Sequence, residues 1–166
     1  MNSRLTVRPE ITAIKNENGK QLENDKDICE VIAKYFNSVY LPTTEEEMPE
    51  MQNQTETEIR NINITLELVR DKLLKLNINK SCGPDDIHPH VLQKTANAMC
   101  KPLQLIFQMS LEKGECPDDW KTANVTPIHK KGDRTDPSNY RPVSLTSQVC
   151  KILESIERTR VIEHIN

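Results

Sequence analysis

Basic side chains are concentrated in one short stretch, TPIHKKGDRTDPSNYRPVSL, residues 126–145. From Lys121 to Arg141 there are five basic and two acidic residues, a local charge of +3, although the whole chain has a formal net charge of −3. A concentrated patch of one sign, more than net charge, is typical of a surface that contacts phosphate groups. The turn residues Gly132-Asp133 and Asp136-Pro137-Ser138-Asn139 predict that two extended segments flank a basic loop.

The cations of this stretch differ in how firmly the chain should hold them. Lys130 and Lys131 lie at the tip, where flexible ammonium groups can follow phosphate oxygens. Arg141 opens the return strand and is held by Pro142, so its planar guanidinium can bind a phosphate through two hydrogen bonds. Composition alone favours an exposed loop without a ligand, and this interpretation stays open beside the phosphate-binding one.

Three other groups could in principle do chemistry: the set Cys82, His88 and His90, the aspartate pairs 85–86 and 118–119, and Cys116. The Cys-x5-His-x-His spacing matches no common zinc site and lacks a fourth ligand. Adjacent aspartates project in different directions, which favours turn and helix-cap roles, and Cys116 has no neighbouring base that would activate it. The sequence therefore predicts no catalytic residue and no metal site.

Cysteine usage and hydropathy limit the class of protein. The five cysteines are odd in number and contain no Cys-x-x-Cys pair, and the N-terminus MNSRLTVRPE has no apolar signal-peptide core. No apolar run approaches the roughly 20 residues that a membrane helix needs. We therefore expect reduced thiols and a protein of the cytoplasm or nucleus that is neither secreted nor membrane-bound.

The periodicity of apolar residues predicts an α+β fold, mainly helical, with strands paired as β-hairpins. The predicted elements are a hairpin in 10–24, a helix from Asn24 or Asp25 to Val39, helices beginning near Thr65, Pro89 and Pro102, a turn capped by Asp118, strands 124–129 and 140–145, and a final helix whose buried side reaches Ile165. Two prolines and many acids interrupt this pattern after Tyr40. The predicted domains are a hairpin plus helix at 1–41, an acidic flexible linker at 42–63 and a third region at 64–166.

Two segments of the sequence carry a family resemblance. They are KSCGPDDIHPHVLQK and PLQLIFQMSLEKGECPDDWKTANVTPIHKKGDRTDPSNYRPVSLTSQVCKILESI. In order, they resemble the pattern Lys-Ser-Pro-Gly-Pro-Asp-Gly-Ile, a Trp-Lys step, Pro-Ile-x-Lys-Lys-Gly-Asp and Asn-Tyr-Arg-Pro-Ile-Ser-Leu-Thr-Ser. This is the pattern of the N-terminal fingers region of reverse transcriptases from non-LTR (LINE-type, jockey/CR1-like) retrotransposons. The resemblance covers residues 75–165, and residues 11–41 more weakly resemble the connector before the polymerase.

The sequence departs from the family pattern at three positions. Cys82 replaces a common proline, Asp86 stands where glycine is frequent, and Val143 replaces isoleucine. The last change is conservative.

The resemblance implies a function and a set of contacts. The function would be RNA-directed DNA synthesis, with an RNA template, a DNA primer and a deoxynucleotide as partners. Lys130 or Lys131 and Arg141 would contact the triphosphate of the incoming nucleotide. The loop containing Lys80, Ser81, Gly83 and Asp85 would lie near the template or primer.

The complete enzymes of this family use two divalent ions, expected to be Mg²⁺, held by aspartates of the palm. Those motifs are expected downstream of Asn166, so the resemblance implies a fingers region without the palm, with no catalytic residue and no metal site. On this expectation the chain is inactive alone. The alternatives are a non-catalytic RNA- or nucleotide-binding module, and a partly folded interaction fragment that self-associates through exposed helix faces.

Overall fold

The computed structural model describes residues 10–40, 59 and 62–165. Within these residues the fold is α+β, with five α-helices and two small antiparallel hairpins, which confirms the predicted fold class. The elements are β1 (Ile14–Lys15), β2 (Gln21–Leu22), α1 (Asp25–Val39), α2 (Leu66–Leu74), α3 (Pro89–Lys94), α4 (Ala96–Lys113), β3 (Asn124–His129), β4 (Tyr140–Leu145) and α5 (Gln148–Ile165), with single 3-10 turns at Asp118–Lys121 and Pro137–Asn139. None of the described helices is both long and apolar enough to cross a membrane.

The described chain divides into two compact units. The first contains residues 10–40 and 126–143, and the second contains residue 59 together with 62–125 and 144–165. The predicted acidic linker at 42–63 lies outside the described residues except at positions 59, 62 and 63.

The first unit begins with the predicted hairpin. β1 and β2 pair antiparallel with Ile14 opposite Leu22. The Asn16 carboxamide oxygen accepts hydrogen bonds from the N–H groups of Asn18 and Lys20, each at 3.0 Å. Gly19 has φ +75°, a conformation that glycine adopts without steric cost. The predicted turn is therefore held by hydrogen bonds among its own residues.

Helix α1 supplies most of the first unit's core. Asn24 caps it, as predicted, by accepting from the N–H of Lys26 at 2.9 Å. Its buried residues join two from other elements in one cluster: Ile14, Ile28, Ile32, Phe36 and Tyr140. Val39 was predicted on this apolar face but is 55% exposed. That prediction was wrong because the buried face of α1 ends at Phe36, one turn earlier.

The second unit has a separate core built from four helices. Thr65 caps α2 as predicted, and Gly114 ends α4 in the left-handed conformation at φ +65°. Its buried residues are Ile64, Val69, Leu73, Leu92, Ala96, Cys100, Leu103, Phe107, Val149, Ile152, Leu153 and Ile156. The ring of Trp120 packs edge-on against Phe107 at 5.8 Å between centroids, in agreement with its predicted role as a core anchor.

Helix α4 begins six residues before the predicted start at Pro102. Thr95 ends α3 and begins α4, and its carbonyl accepts from the N–H groups of Ala98 and Met99, each at 2.9 Å. Pro102 therefore lies inside a helix and removes one backbone hydrogen bond. Burial of Ala96 and Cys100, upstream of the proline, offsets that cost. The prediction from proline alone was wrong because tertiary packing decides this boundary.

Two smaller predictions in the second unit were also wrong. Ile165 is 76% exposed, because the buried side of α5 ends at Ile156. Asp118 does not cap the 3-10 turn and instead forms a salt bridge with Lys121 at 2.7 Å. The hydrogen bond from that ammonium lowers the pKa of Asp118. Lys121 is thus already paired and does not contribute a free charge to the basic stretch.

Candidate phosphate-binding hairpin

We use the term basic hairpin for β3, β4 and the loop 130–139 between them. The strands match the predicted bounds and pair with each other, and the Lys130 N–H donates to the Asn139 carbonyl at 2.8 Å. The rings of His129 and Tyr140 meet edge to face at 5.3 Å, so these two side chains share one face. Successive side chains in strands alternate in direction. Lys130 and Arg141 therefore lie on the other, solvent-exposed face.

The loop's aspartates form hydrogen bonds with the loop's own backbone. Asp133 accepts from the N–H of Thr135 at 2.9 Å, and Asp136 accepts from the N–H of Ser138 at 2.8 Å. The Asn139 amide donates to the Asp133 carbonyl at 3.0 Å. These side-chain turns are the ones that Asp and Asn favour. Neither carboxylate forms a salt bridge with Lys130 or Lys131.

Gly132 is required for the shape of the tip. Its φ is +85°, and a Cβ at this position would lie 2.8 Å from the Asn139 amide nitrogen. A larger residue would be strained by its backbone conformation and would also push Asn139 away from Asp133.

The three predicted phosphate ligands are exposed and unpaired. Lys130, Lys131 and Arg141 are all solvent-exposed, and within the described part of the chain their side chains have no hydrogen-bond or salt-bridge partner. Arg141 follows Tyr140, which is only 3% exposed, so its backbone is fixed while its guanidinium is free. The structure thus brings the predicted cations onto one hairpin and leaves them available to a ligand.

The Asp133 carboxyl group lies at the base of the tip and has a lowered pKa. Its pKa is lowered to about 2, mainly by the hydrogen bond from the Thr135 backbone N–H and further by the Lys15 ammonium. The Lys15 Nζ lies 3.1 Å from the carboxylate. The Thr135 hydroxyl itself is buried and does not reach hydrogen-bond geometry with any described residue.

The second predicted contact region, Lys80–Asp86, lies in the other unit and is held against the start of α5. Gly83 is buried, and a Cβ there would lie 2.5 Å from the backbone nitrogen of Ser147 and 2.6 Å from the carbonyl carbon of Thr146. No side chain fits in this space. Glycine at this position therefore allows the backbone of the Lys80–Asp86 loop to lie close to the backbone of Thr146 and Ser147.

Hydrogen bonds complete the attachment of this loop. The Ser147 hydroxyl donates to Asp85 at 2.6 Å and accepts from the N–H of Val149 at 3.1 Å. Gln148 donates through its side chain to the Ser81 carbonyl at 2.9 Å. Ser81, Gly83 and Asp85 thus hold the loop on α5, whereas Lys80 is exposed without a side-chain partner among the described residues.

The Asp86 backbone gives a physical reason for the family's frequent glycine at this position. Asp86 has φ +52°, and it is the one non-glycine with a positive φ in the described ranges. Aspartate tolerates this conformation better than most residues, but glycine adopts it at no cost.

One residue of the set Cys82, His88 and His90, which matches no zinc spacing, caps a helix. His88 caps α3 by accepting from the N–H of His90 at 3.2 Å, which confirms the capping interpretation. Within residues 10–40, 59 and 62–165, no group of three or more His, Cys, Asp or Glu side chains is arranged to hold a metal ion. The described residues therefore offer no such group for the Mg²⁺ that the resemblance implies for the complete enzyme.

Local sequence patterns do not identify three residues that hold these loops: Lys15, Ser147 and Gln148. The Asp-x-Thr spacing of residues 133–135 is a turn signal that could have predicted the role of Asp133. Lys15 is 118 residues from Asp133 in sequence, so no local pattern links them.

Comparison with known proteins identifies several that are similar in sequence to part of this chain. No protein-family model matches it. It is 34% identical over 100 residues to the RNA-directed DNA polymerase from mobile element jockey of Drosophila melanogaster, covering 60% of this chain and 11% of that protein. It is 30% identical over 99 residues to the probable RNA-directed DNA polymerase from transposon BS of the same species, covering 59% and 11%.

A further relative comes from another species. The chain is 28% identical over 95 residues to the retrovirus-related Pol polyprotein from type-1 retrotransposable element R1 of Bradysia coprophila, covering 56% of this chain and 10% of that protein. The chain therefore spans about a tenth of the length of the curated relatives it matches. The predicted resemblance is confirmed: over about 60% of its length, this chain is similar to RNA-directed DNA polymerases of non-LTR retrotransposons.

Proposed function

We propose that this chain is the fingers part of a reverse transcriptase and that the basic hairpin binds the triphosphate of the incoming deoxynucleotide. The observation that carries this proposal is a set of exposed, unpaired cations on one hairpin: Lys130, Lys131 and Arg141. The aspartates of that hairpin accept hydrogen bonds from the backbone of their own loop. The similarity to RNA-directed DNA polymerases supplies the substrate class.

The lysines and the arginine would contact the phosphates in different ways. The lysines at the tip act as mobile point charges that follow the outer phosphate oxygens. Arg141 stands between buried Tyr140 and Pro142, so its guanidinium can form two parallel hydrogen bonds from a fixed backbone. Charge-assisted bonds of this kind contribute about 1.5–3 kcal/mol each.

The template and primer contacts are proposed for the second unit. Lys80 supplies an exposed charge at the Lys80–Asp86 loop that can contact a nucleic-acid backbone. Ser81, Gly83 and Asp85 would shape the loop that carries it. The RNA template and DNA primer are thus the proposed macromolecular partners.

We further propose that the 166-residue chain alone binds nucleotide without polymerising it. Phosphoryl transfer needs positioning groups and metal ions together, and the described residues do not fit a metal ion. A primer-extension assay on a primed RNA template with Mg²⁺ should give no product. Template-dependent incorporation by the pure chain would contradict this proposal.

The binding proposal is tested by removing the three cations. Lys130→Ala/Lys131→Ala/Arg141→Ala should weaken dTTP binding by about 100-fold or more at low salt, measured by calorimetric titration. The matched control is Lys94→Ala/Lys113→Ala/Arg158→Ala, which removes the same charge from exposed positions of the second unit. The control should keep its affinity, and both variants should melt like the wild type. Equal affinities in the two variants would contradict the proposal.

A non-catalytic RNA-binding module would use the same cations. It predicts RNA binding that weakens as the salt concentration rises. The slope of log K against log salt should become shallower by about 2 in the variant that lacks the three hairpin cations, because each phosphate contact on a single strand contributes roughly 0.7 to that slope. Binding of a short RNA without binding of dTTP would favour this function over the nucleotide site.

The interaction-fragment alternative is favoured by apolar residues on the surface of α4. Leu105, Ile106 and Met109 are 49%, 42% and 52% exposed. Clustered exposed apolar residues are typical of contact surfaces. Sedimentation should then show concentration-dependent association that Ile106→Gln/Met109→Gln reduces, whereas a monomer at all concentrations would exclude it.

A further inference from the structure

We propose that Lys15 is a positioning residue for the basic hairpin, holding the loop in its phosphate-binding conformation and neutralising the carboxylate nearest to the tip. This inference rests on the proposed nucleotide-binding function. It assigns residues 10–40 a role in that site, although the resemblance suggested only a connector for this segment.

Lys15 contacts the loop at two points. Its backbone N–H donates to the Thr135 carbonyl at 2.8 Å, and its ammonium lies 3.1 Å from the Asp133 carboxylate. The two contacts span one short stretch of the loop. They therefore fix both the backbone path and the charge of residues 133–135.

The loop is also attached to the buried core of the first unit, through Tyr140. Ile14, the neighbour of Lys15, is fully buried in the cluster that includes Tyr140. The Tyr140 hydroxyl donates to the Arg134 carbonyl at 2.7 Å. The loop is thus attached at 133, 134, 135 and 140, immediately before Arg141.

The Lys15–Asp133 pair also changes the charge that a phosphate would meet. Asp133 lies two residues from Lys131, and an unpaired carboxylate there would repel an anionic ligand. No other described cation forms a salt bridge with Asp133. The two side chains of the pair are 47% and 53% exposed, so the pair contributes little to stability. Loss of Lys15 should consequently affect ligand binding more than folding.

The test uses the full chain with dTTP as the probe. Lys15→Met should weaken dTTP binding by about fivefold at low salt, the effect of one unit charge at close range in water. Lys15→Arg should restore the affinity. Lys15→Met/Asp133→Asn should also recover most of it, because asparagine still accepts the Thr135 N–H without the negative charge. The matched control is Lys20→Met, an exposed lysine of the same β1–β2 hairpin.

Three outcomes would overturn the inference. They are equal affinities in Lys15→Met and Lys20→Met, no recovery in Lys15→Arg, and a melting temperature that falls in parallel with affinity. If dTTP binding requires Lys130, Lys131 and Arg141 but not Lys15, the inference fails and the proposed function stands. If dTTP binding does not require those three cations, the proposed function fails, and the positioning role fails with it.

A structural readout tests the contact without any ligand. The Asp133 pKa, measured from its carboxyl carbon shift by NMR, should be about 2 in the wild type and higher in Lys15→Met. Lys20→Met should leave it unchanged. No rise in Lys15→Met would show that the contact does not form in solution and would overturn the inference.

Discussion

The basic hairpin and the Lys80–Asp86 loop contain the same residue types, glycine, proline, aspartate and lysine, and use them in opposite ways. In the hairpin the aspartates bind their own loop backbone, which leaves the cations free. In the Lys80–Asp86 loop the carboxylate of Asp85 and the carbonyl of Ser81 are bonded to the start of α5. The comparison shows that a loop's availability to a ligand depends on which polar groups its own fold has already used.

The largest expected effect is at Gly83, where the loop touches the backbone before α5. Gly83→Ala should lower the free energy of unfolding by about 1–3 kcal/mol, because the new Cβ would overlap backbone atoms that cannot move independently. Chemical denaturation measures this. The hairpin's affinity for dTTP should not change under conditions where the variant is folded.

Gly114→Ala is the control for this substitution. Gly114 also lies in the second unit and has φ +65°, but nothing lies within 4 Å of its Cβ position. Its substitution should cost about 1 kcal/mol from backbone conformation alone. If Gly83→Ala costs no more than Gly114→Ala, the loop is not held as closely on α5 as the comparison requires.

A smaller effect is expected at Tyr140, which links the hairpin to its core. Tyr140→Phe removes the hydroxyl that donates to the Arg134 carbonyl and should cost about 1 kcal/mol. Amide hydrogen exchange should show the loss of protection in residues 126–143 and not in the helices of the second unit. Equal loss in both units would contradict the hairpin's local dependence on this bond.

Tyr140 should also make the stability of the first unit depend on pH. Burial raises the pKa of Tyr140 above its usual 10.0. The folded state therefore keeps this proton more tightly than the unfolded state, so the stabilisation is complete below pH 10 and is lost as pH rises above it. Denaturation between pH 8 and pH 11 should show this decline in the wild type and a shallower one in Tyr140→Phe. If stability fell equally with pH in the wild type and in Tyr140→Phe, the assignment of this pH dependence to Tyr140 would be wrong.

The smallest effect is expected at Thr135. Thr135→Val should change stability by less than about 0.5 kcal/mol, because the hydroxyl is buried without a hydrogen bond and valine has the same shape. Thr65→Val is the control, since Thr65 caps α2 through a bond to the N–H of Leu68 and its loss should cost about 1 kcal/mol. A loss above 1 kcal/mol at Thr135 would show that its hydroxyl bonds Asp133 in solution.

Much of the fold could be predicted because its signals are local. Asn24, Thr65 and His88 cap helices within three residues of themselves, and Gly114 ends one by its own conformation. The strands 124–129 and 140–145 are bounded by turn residues that form hydrogen bonds inside the loop. The start of α4 and the exposure of Ile165 could not be predicted in this way, since both depend on which neighbouring helix covers which turn.

The sequence by itself determined the elements, the turn chemistry and the family resemblance, because each rests on residues adjacent in the chain. Only the tertiary structure decided which charges are free. It bonded Asp85 to Ser147 and brought Lys15 to Asp133 across 118 residues, while Lys130, Lys131 and Arg141 stayed exposed. The physical reason is that a charge is neutralised by its neighbours in space, and packing rather than local sequence chooses those neighbours.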